Sequence, residues 1–231
     1  MQQTLKGLLF DKDGTLFDFH ATWGAWCGGF IEGLSRGDPE LAATLADVLE
    51  YDLPSGRFLP HSFVVTDSME TIIAAIRKVL PEWEGEALYN FVKKTTCEAP
   101  QQPVVPLEPL FTGLRGRGYK IGIATNDNAV PARAHLQQAG VLEIFDHIVA
   151  CDSGFGAKPD PGMLWSFSDA MAFDPAEVAM IGDSLHDLKA GRAAGMVTVG
   201  VTTGVVGADT LAPYADVILP DIGHIPAWLD A

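Results

Sequence analysis

Residues 5–16 read LKGLLFDKDGTL, a short apolar run that ends in two aspartates separated by one residue. An apolar run of this length that leads into Asp11 and Asp13 is typical of a buried strand with carboxylates at its C-terminal tip. Three later segments have the same form. They lead into Thr125-Asn126-Asp127, Gly182-Asp183-Ser184 and Thr202-Thr203-Gly204. The sequence therefore predicts several buried strands that each end in polar residues.

Helical patterns separate these strands along most of the chain. The predicted strands are residues 5–10, 119–124, 145–150, 178–181, 197–201 and 215–219. The predicted helices are residues 107–117, 131–139, 161–172 and 185–194. Strands that alternate with helices of about 10–15 residues indicate βαβ units, so we predict an α/β fold with a Rossmann-like three-layer core and a parallel sheet. In such sheets ligands bind beyond the carboxyl ends of the strands, where the polar residues lie.

The segment from residue 21 to residue 98 interrupts this alternation with about four helical stretches. Within it Trp23, Trp26 and Phe30 recur at helical spacing, and we expect them to form part of its core. A proline-containing stretch at residues 99–103 has the composition of a hinge. We therefore predict two domains, a catalytic core of residues 1–20 and 99–231 and a small all-α cap of residues 21–98. The cap would move as a lid.

Composition and charge argue against several classes of protein. The 231 residues carry a formal net charge of −15, which is unfavourable for binding nucleic acid or an anionic membrane surface. No apolar run approaches the ~18 residues of a membrane-spanning helix. The three cysteines are far apart without metal-binding spacing, and no signal peptide is recognisable. We therefore expect a cytoplasmic protein that binds neither nucleic acid nor membrane.

Asp11 and Asp13 predict a cation site at the tip of the first strand. On an extended strand, residues two apart lie on the same side, and two adjacent carboxylates repel each other unless a cation is present. Magnesium suits this role because it prefers oxygen ligands and keeps waters that a substrate phosphate can replace. Asp183 is the natural third carboxylate at another strand tip, and Asp187 could face the same cavity from the following helix. We expect Lys12, between the two aspartates, to be exposed.

Other residues at the strand tips suit a phosphate group. Thr125 and Asn126 follow a buried strand just before a helix, where a hydroxyl and backbone N–H groups can bind phosphoryl oxygens. Lys158 lies in the turn GAKPDP before another helix and can offset the charge of phosphate and carboxylates together. Each residue alone is more often an ordinary turn or loop residue. Four such clusters in a compatible order are difficult to explain as coincidence.

These residues resemble the motifs of the haloacid dehalogenase superfamily of phosphohydrolases, in particular its phosphoglycolate-phosphatase-type members with a helical cap after the first motif. Residues 11–16, DKDGTL, are similar to the first motif. Thr125 with Asn126 is similar to the second motif, and Lys158 in KPDP to the third. Gly182-Asp183-Ser184 with Asp187 is similar to the fourth. The resemblance covers nearly the whole chain, and its four motifs together are highly specific.

The resemblance implies a role for each residue of the core motifs. Asp11 would attack phosphorus and form an aspartyl-phosphate, and Asp13 would protonate the leaving alcohol and then activate water. Mg2+ would bind the side chains of Asp11 and Asp183 and the main-chain carbonyl of Asp13. The phosphoryl oxygens would be bound by Thr125, Asn126 and Lys158. The metal site and Lys158 would be supported by Asp187 and Ser184.

Substrate choice is expected to come from the cap, because the core binds only phosphate. Arg57 and His61, between two cap helices, are our candidates for contacts with the leaving group, although a solvated loop is an equally good interpretation. The resemblance implies a small phosphate ester of the phosphoglycolate or sugar-phosphate type as substrate. A phosphomutase similar to β-phosphoglucomutase and a non-catalytic binding protein on this fold stay open as alternatives. The sequence leaves the oligomeric state open between monomer and dimer.

Overall fold

The computed structural model of the protein describes residues 4–59, 62–65 and 69–231, and it divides the chain into two compact units. The core unit comprises the chain up to Phe19 together with Gln101–Ala231, and the cap unit is His20–Pro100. The domain boundaries predicted from the sequence lie within two residues of these positions. Movement of the cap as a lid stays a prediction.

The structure contains eight strands and ten α-helices in its described part. The strands are β1 (Gly7–Phe10), β2 (Tyr51–Asp52), β3 (Arg57–Phe58), β4 (Lys120–Thr125), β5 (His147–Ala150), β6 (Val178–Gly182), β7 (Val197–Val201) and β8 (Val217–Leu219). The helices are α1 (Ala25–Ser35), α2 (Pro39–Val48), α3 (Met69–Val79), α4 (Gly85–Cys97), α5 (Leu107–Gly116), α6 (Ala129–Gln138), α7 (Gly162–Met171), α8 (Leu185–Ala194), α9 (Ala208–Leu211) and α10 (Ile225–Leu229). No described helix is both long and apolar enough to cross a membrane.

A six-stranded parallel sheet forms the centre of the core unit, with strand order β5-β4-β1-β6-β7-β8. Phe10 at the end of β1 lies opposite Ile123 of β4 and Ile181 of β6. The carboxyl ends of these three strands are therefore level with one another. The Asp11 N–H continues the ladder by donating to Ile181 O at 2.8 Å. The predicted α/β fold with a parallel sheet is confirmed, and its central strands end at one edge.

Both faces of this sheet are covered, which explains why β1 is apolar at every position. Leu8 and Phe10 point to one face, where they belong to the same buried cluster as Phe111 of α5. Leu9 points to the other face and packs in a second cluster with Phe167 of α7. Because successive strand residues alternate between faces, a strand buried on both sides has a continuous apolar run. The core unit thus has the three layers expected from the sequence.

The cap unit consists of helices α1–α4 and a short hairpin that the sequence did not predict. The hairpin pairs β2 with β3, and the hydroxyl of Tyr51 in β2 donates to Gly24 O at 2.7 Å. Two-residue strands are too short to show an alternating pattern, so periodicity could not reveal them. Trp26 and Phe30 are buried and stacked with ring centroids 5.0 Å apart, whereas Trp23 is only half-buried.

Candidate active site

Lys158 lies at the centre of a buried group of charges at the carboxyl edge of the sheet. Its ammonium donates to Asp11 Oδ1 at 2.6 Å, to Asp187 Oδ1 at 2.6 Å and to Ala124 O at 2.7 Å. These three partners come from the end of β1, the first turn of α8 and β4. Only 5% of Lys158 is exposed. One lysine therefore ties together three elements that are distant in the chain.

Asp183, directly after β6, completes the group of buried acids. The Thr15 hydroxyl donates to Asp183 Oδ1 at 3.2 Å. A Cβ added at Gly14 or at Gly204 would overlap the Asp183 carboxyl group, and Gly14 also has a φ of +81°. Both glycines are thus required by close approach of the backbone to this side chain. The Thr203 hydroxyl donates to Gly14 O at 2.6 Å and holds the two loops together.

The positive charge of Lys158 does not balance the buried carboxyl groups around it. Burial raises the pKa of Asp11 to about 7, with Asp187 and Asp13 adding to the effect and Lys158 opposing it. Burial, together with Asp187 and Asp11, also raises the pKa of Asp183 well above its usual value. Burial alone lowers the pKa of Lys158, but the two carboxylates that it contacts outweigh this and raise it. The lysine therefore stays charged beside an excess of acid.

A divalent cation fits this donor set. Asp11, Asp183 and Asp187 offer carboxylate oxygens that all lie within 4.8 Å of one another, and each residue is buried. Three carboxylates against the single ammonium of Lys158 leave two negative charges, which a divalent cation would balance. Oxygen-only donors are those that Mg2+ and Ca2+ prefer. The side chain of Asp13 is not a member of this cluster, and the sequence prediction assigned only its main-chain carbonyl to the metal.

A capping box at the start of α8 holds Asp187 in place. Ser184 is the N-cap residue, and its hydroxyl donates to Asp187 Oδ2 at 2.6 Å while its N–H donates to the same oxygen at 3.0 Å. The other oxygen of Asp187 is thereby left to Lys158. Satisfying the first N–H groups of a helix with such side chains is the usual function of this motif. Here it also fixes the carboxylate that contacts the lysine, and the supporting roles of Ser184 and Asp187 stay predictions.

Thr125 and Asn126 lie at the end of β4, beside Lys158. Thr125 is buried, and its hydroxyl oxygen accepts a hydrogen bond from the Asp127 N–H at 3.1 Å. The Asn126 amide holds the main chain of Lys158 at two points. Its Nδ2 donates to Lys158 O at 2.9 Å, and its Oδ1 accepts from Lys158 N at 2.8 Å. The side chain of Asn126 thus positions the lysine turn, and phosphate binding by Asn126 stays a prediction.

The expectation that Lys12 is exposed is wrong. Its side chain is completely buried, and its ammonium donates to Asp13 Oδ1 at 2.6 Å. The ammonium also lies 3.0 Å from His135 Nδ1 and 3.4 Å from Asp127 Oδ2. Burial alone lowers the pKa of Lys12, but Asp13 and Asp127 outweigh it and raise the pKa. The physical reason for the error is that two of these partners, Asp127 and His135, reach Lys12 only through the tertiary fold.

The structure describes one of the two cap residues that are predicted to contact substrate. Arg57 lies in β3, where it pairs with Asp52 and has an exposed side chain. His61 lies outside the described residues. Contact of either residue with a substrate stays a prediction.

Sequence reasoning missed several residues that the structure brings to the site. Thr15 lies inside the quoted motif, and Thr203 and Gly204 follow a predicted strand, so the rule that ligands bind at strand ends could have identified all three. Asp127 carries the same signal, because it follows the predicted strand 119–124, whereas His135 carries none. His135 is buried within α6, and its ring meets Lys12 across 123 positions of the chain. Only the packing of α6 against the core reveals that contact.

Comparisons with known proteins agree with this arrangement. The family model described as haloacid dehalogenase-like hydrolase matches residues 5–195. A phosphoglycolate phosphatase of Neisseria meningitidis is 36% identical over 226 residues, covering 96% of this chain and 91% of that protein. A probable phosphatase, IndB, of Dickeya dadantii is 28% identical over 217 residues, covering 93% of this chain and 88% of that protein. The magnesium-bound putative HAD-hydrolase YfnB of Bacillus subtilis has the same fold, with a TM-score of 0.74, 18% identity and coverage of 99% and 100% of the two chains.

Proposed function

Because this chain belongs to the haloacid dehalogenase-like hydrolase family, we propose that it is a magnesium-dependent phosphatase of small phosphate monoesters, with Asp11 as the nucleophile. The observation that carries the proposal is the buried contact of Lys158 with both Asp11 and Asp187 beside the Asp183 carboxylate. Phosphoryl transfer through a covalent intermediate needs a nucleophile and positive charge next to the transferring group. Asp11 and Lys158 would supply these, and the remaining buried carboxylates would bind a metal ion that adds positive charge.

The reaction would proceed in two steps. In the first, an oxygen of Asp11 forms a bond to phosphorus while the bond from phosphorus to the bridging oxygen breaks, and Asp13 gives its proton to that oxygen. An alcohol leaves, and Asp11 carries the phosphoryl group. In the second, Asp13 takes a proton from water as the water oxygen attacks phosphorus and the bond to Asp11 breaks. Inorganic phosphate leaves, and both aspartates return to their starting states.

Lys158, Thr125 and the main-chain N–H groups at the end of β4 would bind the phosphoryl oxygens. Lys158 already contacts the nucleophile, so its charge lies next to the place where the bond to phosphorus forms. Fixed charges of this kind stabilise the transition state without reorganising during the reaction. The buried Asp187 keeps the lysine in position between the two carboxylates.

Mg2+ would be held by the carboxylates of Asp11 and Asp183 and by the main-chain carbonyl of Asp13, with Asp187 supporting this arrangement. When bound, it would supply the positive charge that the phosphoryl oxygens and the buried acids require. Gly14 and Gly204 support this assignment, because they hold the Asp183 carboxyl group in a slot that no larger residue would leave open.

The substrate is proposed to be a small phosphate ester of the 2-phosphoglycolate or sugar-phosphate type. The phosphoglycolate phosphatase that is 36% identical over 96% of this chain supports the first choice. Arg57 and His61 of the cap are proposed to contact the leaving group. The proposed setting is the cytoplasm. A non-catalytic binding protein is disfavoured because Asp11, Asp13, Lys158 and Asp183 are all present.

The test is phosphate release from a panel of small phosphate monoesters, with Mg2+ and with EDTA. The panel includes 2-phosphoglycolate, sugar phosphates and nucleoside monophosphates. We expect release only with Mg2+, and a loss of about 10³-fold or more in Asp11→Asn. Asp169→Asn, the same change at an exposed position of α7, should behave as wild type. Release that survives Asp11→Asn would refute this nucleophile, and conversion of a sugar 1-phosphate into its 6-phosphate would identify a mutase instead.

A further inference from the structure

No step of the proposed reaction uses the buried side chain of Lys12, although its neighbour Asp13 acts in both steps. Its ammonium donates to Asp13 Oδ1 at 2.6 Å and to His135 Nδ1 at 3.0 Å, and it lies 3.4 Å from Asp127 Oδ2. Because an ammonium group can only donate, Nδ1 of His135 is the acceptor and the proton of the neutral ring is on Nε2. Lys12 therefore connects the loop after β1 with the end of β4 and with α6.

A lysine is an expensive residue to bury, so its presence at this position calls for an explanation. An ammonium loses its hydration on burial, and the cost is offset only by close partners of opposite charge or by good hydrogen bonds. Methionine has similar length and would fill the same space without that cost. The position of Lys12, with no exposed surface and with contacts to Asp13 and to Asp127, indicates that the charged group itself is needed.

We propose that Lys12 is a positioning residue for Asp13, an inference that rests on the proposed phosphatase activity. Its ammonium holds Oδ1 of Asp13, which limits rotation of the carboxyl group and leaves Oδ2 to give the proton to the leaving oxygen and later to take one from water. The anchor is rigid because Lys12 is itself held by His135 in α6 and by the carboxylate of Asp127. Lys12 does not touch the substrate and is not a catalytic residue.

The rate enhancement that an acid–base group provides depends strongly on its orientation. General acid catalysis contributes about 10²–10⁴-fold, and a misplacement of about 1 Å can cost ~10²-fold. The same carboxyl group of Asp13 acts in both steps, first as acid and then as base. A fixed hydrogen bond to Oδ1 keeps it in place between the steps, when the alcohol has left and water has not yet reacted.

The test compares kcat/KM of wild type and Lys12→Met on esters whose leaving groups differ in basicity. The value of kcat/KM reports the first step, transfer of the phosphoryl group to Asp11. We expect a loss of about 10–100-fold on an alkyl phosphate, because an alkoxide cannot leave without a proton. On p-nitrophenyl phosphate we expect a loss below about threefold, since nitrophenolate leaves without protonation.

Lys6→Met is the matched control, because Lys6 precedes the same strand at its other end. Its side chain is 51% exposed and pairs with Glu177 at 2.6 Å. The same chemical change there should leave kcat/KM unchanged on both kinds of ester. If Lys12→Met fails to fold, His135→Leu serves in its place. It removes the acceptor that holds Lys12, and we expect a smaller loss with the same dependence on the leaving group.

The outcomes separate the two proposals. A loss that is equal on alkyl and nitrophenyl esters, or a lower Tm with unchanged dependence on the leaving group, would mean that Lys12 is only structural and would overturn this inference. Equal losses in a folded His135→Leu protein would overturn it as well. Wild-type protein that hydrolyses none of the esters would instead overturn the proposed phosphatase activity.

Discussion

Lys158 places its ammonium 2.6 Å from the carboxylate of Asp11, although the two residues are 147 positions apart in the chain. Asp11 follows the central strand β1, whereas Lys158 lies in the loop between β5 and α7. The ammonium of the lysine contacts Asp187, and the main chain of the lysine is held by the side-chain amide of Asn126. The nucleophile of the proposed reaction therefore has a fixed cation beside it.

Replacing Lys158 with methionine should remove both a charge and a buried partner. Activity should fall by about 10²–10³-fold, the effect of losing one fixed donor to the transferring group. The free energy of unfolding of the metal-free protein should fall by about 3–5 kcal/mol, because Asp11 and Asp187 are left buried without their cation. Phosphate release and urea denaturation measure the two effects. Lys189→Met, on the exposed side of α8, is the control, and equal losses in both variants would contradict the assignment.

Asp187→Asn should lower activity and stability together. One oxygen of Asp187 accepts from Ser184 and the other from Lys158, and an asparagine can satisfy only one of these with its single oxygen. We expect about 10–100-fold less activity and about 1–3 kcal/mol less stability. Asp209→Asn changes an exposed acid in the first turn of α9 and should alter neither. Full activity in Asp187→Asn would show that Lys158 needs no such partner.

Gly204→Ala should weaken Mg2+ binding. A Cβ at this position would overlap the Asp183 carboxyl group, which would have to move. The Mg2+ concentration for half-maximal activity should rise about 10–100-fold. Gly207→Ala lies three residues further along, where a Cβ would meet nothing within 4 Å, and should leave that concentration unchanged. An unchanged Mg2+ requirement in Gly204→Ala would argue that Asp183 does not hold the metal.

Asp146 should stabilise the core unit in a pH-dependent way. Burial alone raises the pKa of Asp146, but hydrogen bonds from Lys120 Nζ and the Ile121 N–H outweigh it and hold the pKa below its usual value. For an acid with a lowered pKa in the folded state, the stabilisation is present above the unfolded pKa of about 3.9 and is lost as the pH falls through the folded pKa.

Comparison with Asp146→Asn measures this effect. By urea denaturation, the free energy of unfolding of wild type should exceed that of the variant by about 1.5–3 kcal/mol at pH 6, the range for hydrogen bonds to charged groups, and by less at pH 3. The exposed Asp169→Asn serves as the control for the loss of one negative charge. If the difference in the free energy of unfolding is the same at both pH values, the ionised carboxylate of Asp146 is not its source.

Many features of the fold and the site are predictable because they depend on local pattern. β7 runs from Val197 to Val201, as its apolar run predicts, and α8 spans Leu185–Ala194, between its capping residue and a glycine. Other boundaries are less regular. Helix α6 begins at Ala129, two residues before the predicted start at Pro131, because a helix entry without a side-chain cap has little local signal.

By itself, the sequence determined which residues could carry the chemistry, because the alternation of strands and helices brings strand ends such as Asp11 and Asp183 to one edge of a parallel sheet. The tertiary structure alone decided which side chains meet there. It buries Lys12 against His135, turns the Asn126 amide toward the main chain of Lys158, and packs Gly204 against Asp183. The physical reason is that periodicity records which way a residue faces within its own element. The partner it meets depends on contacts between elements far apart in the chain.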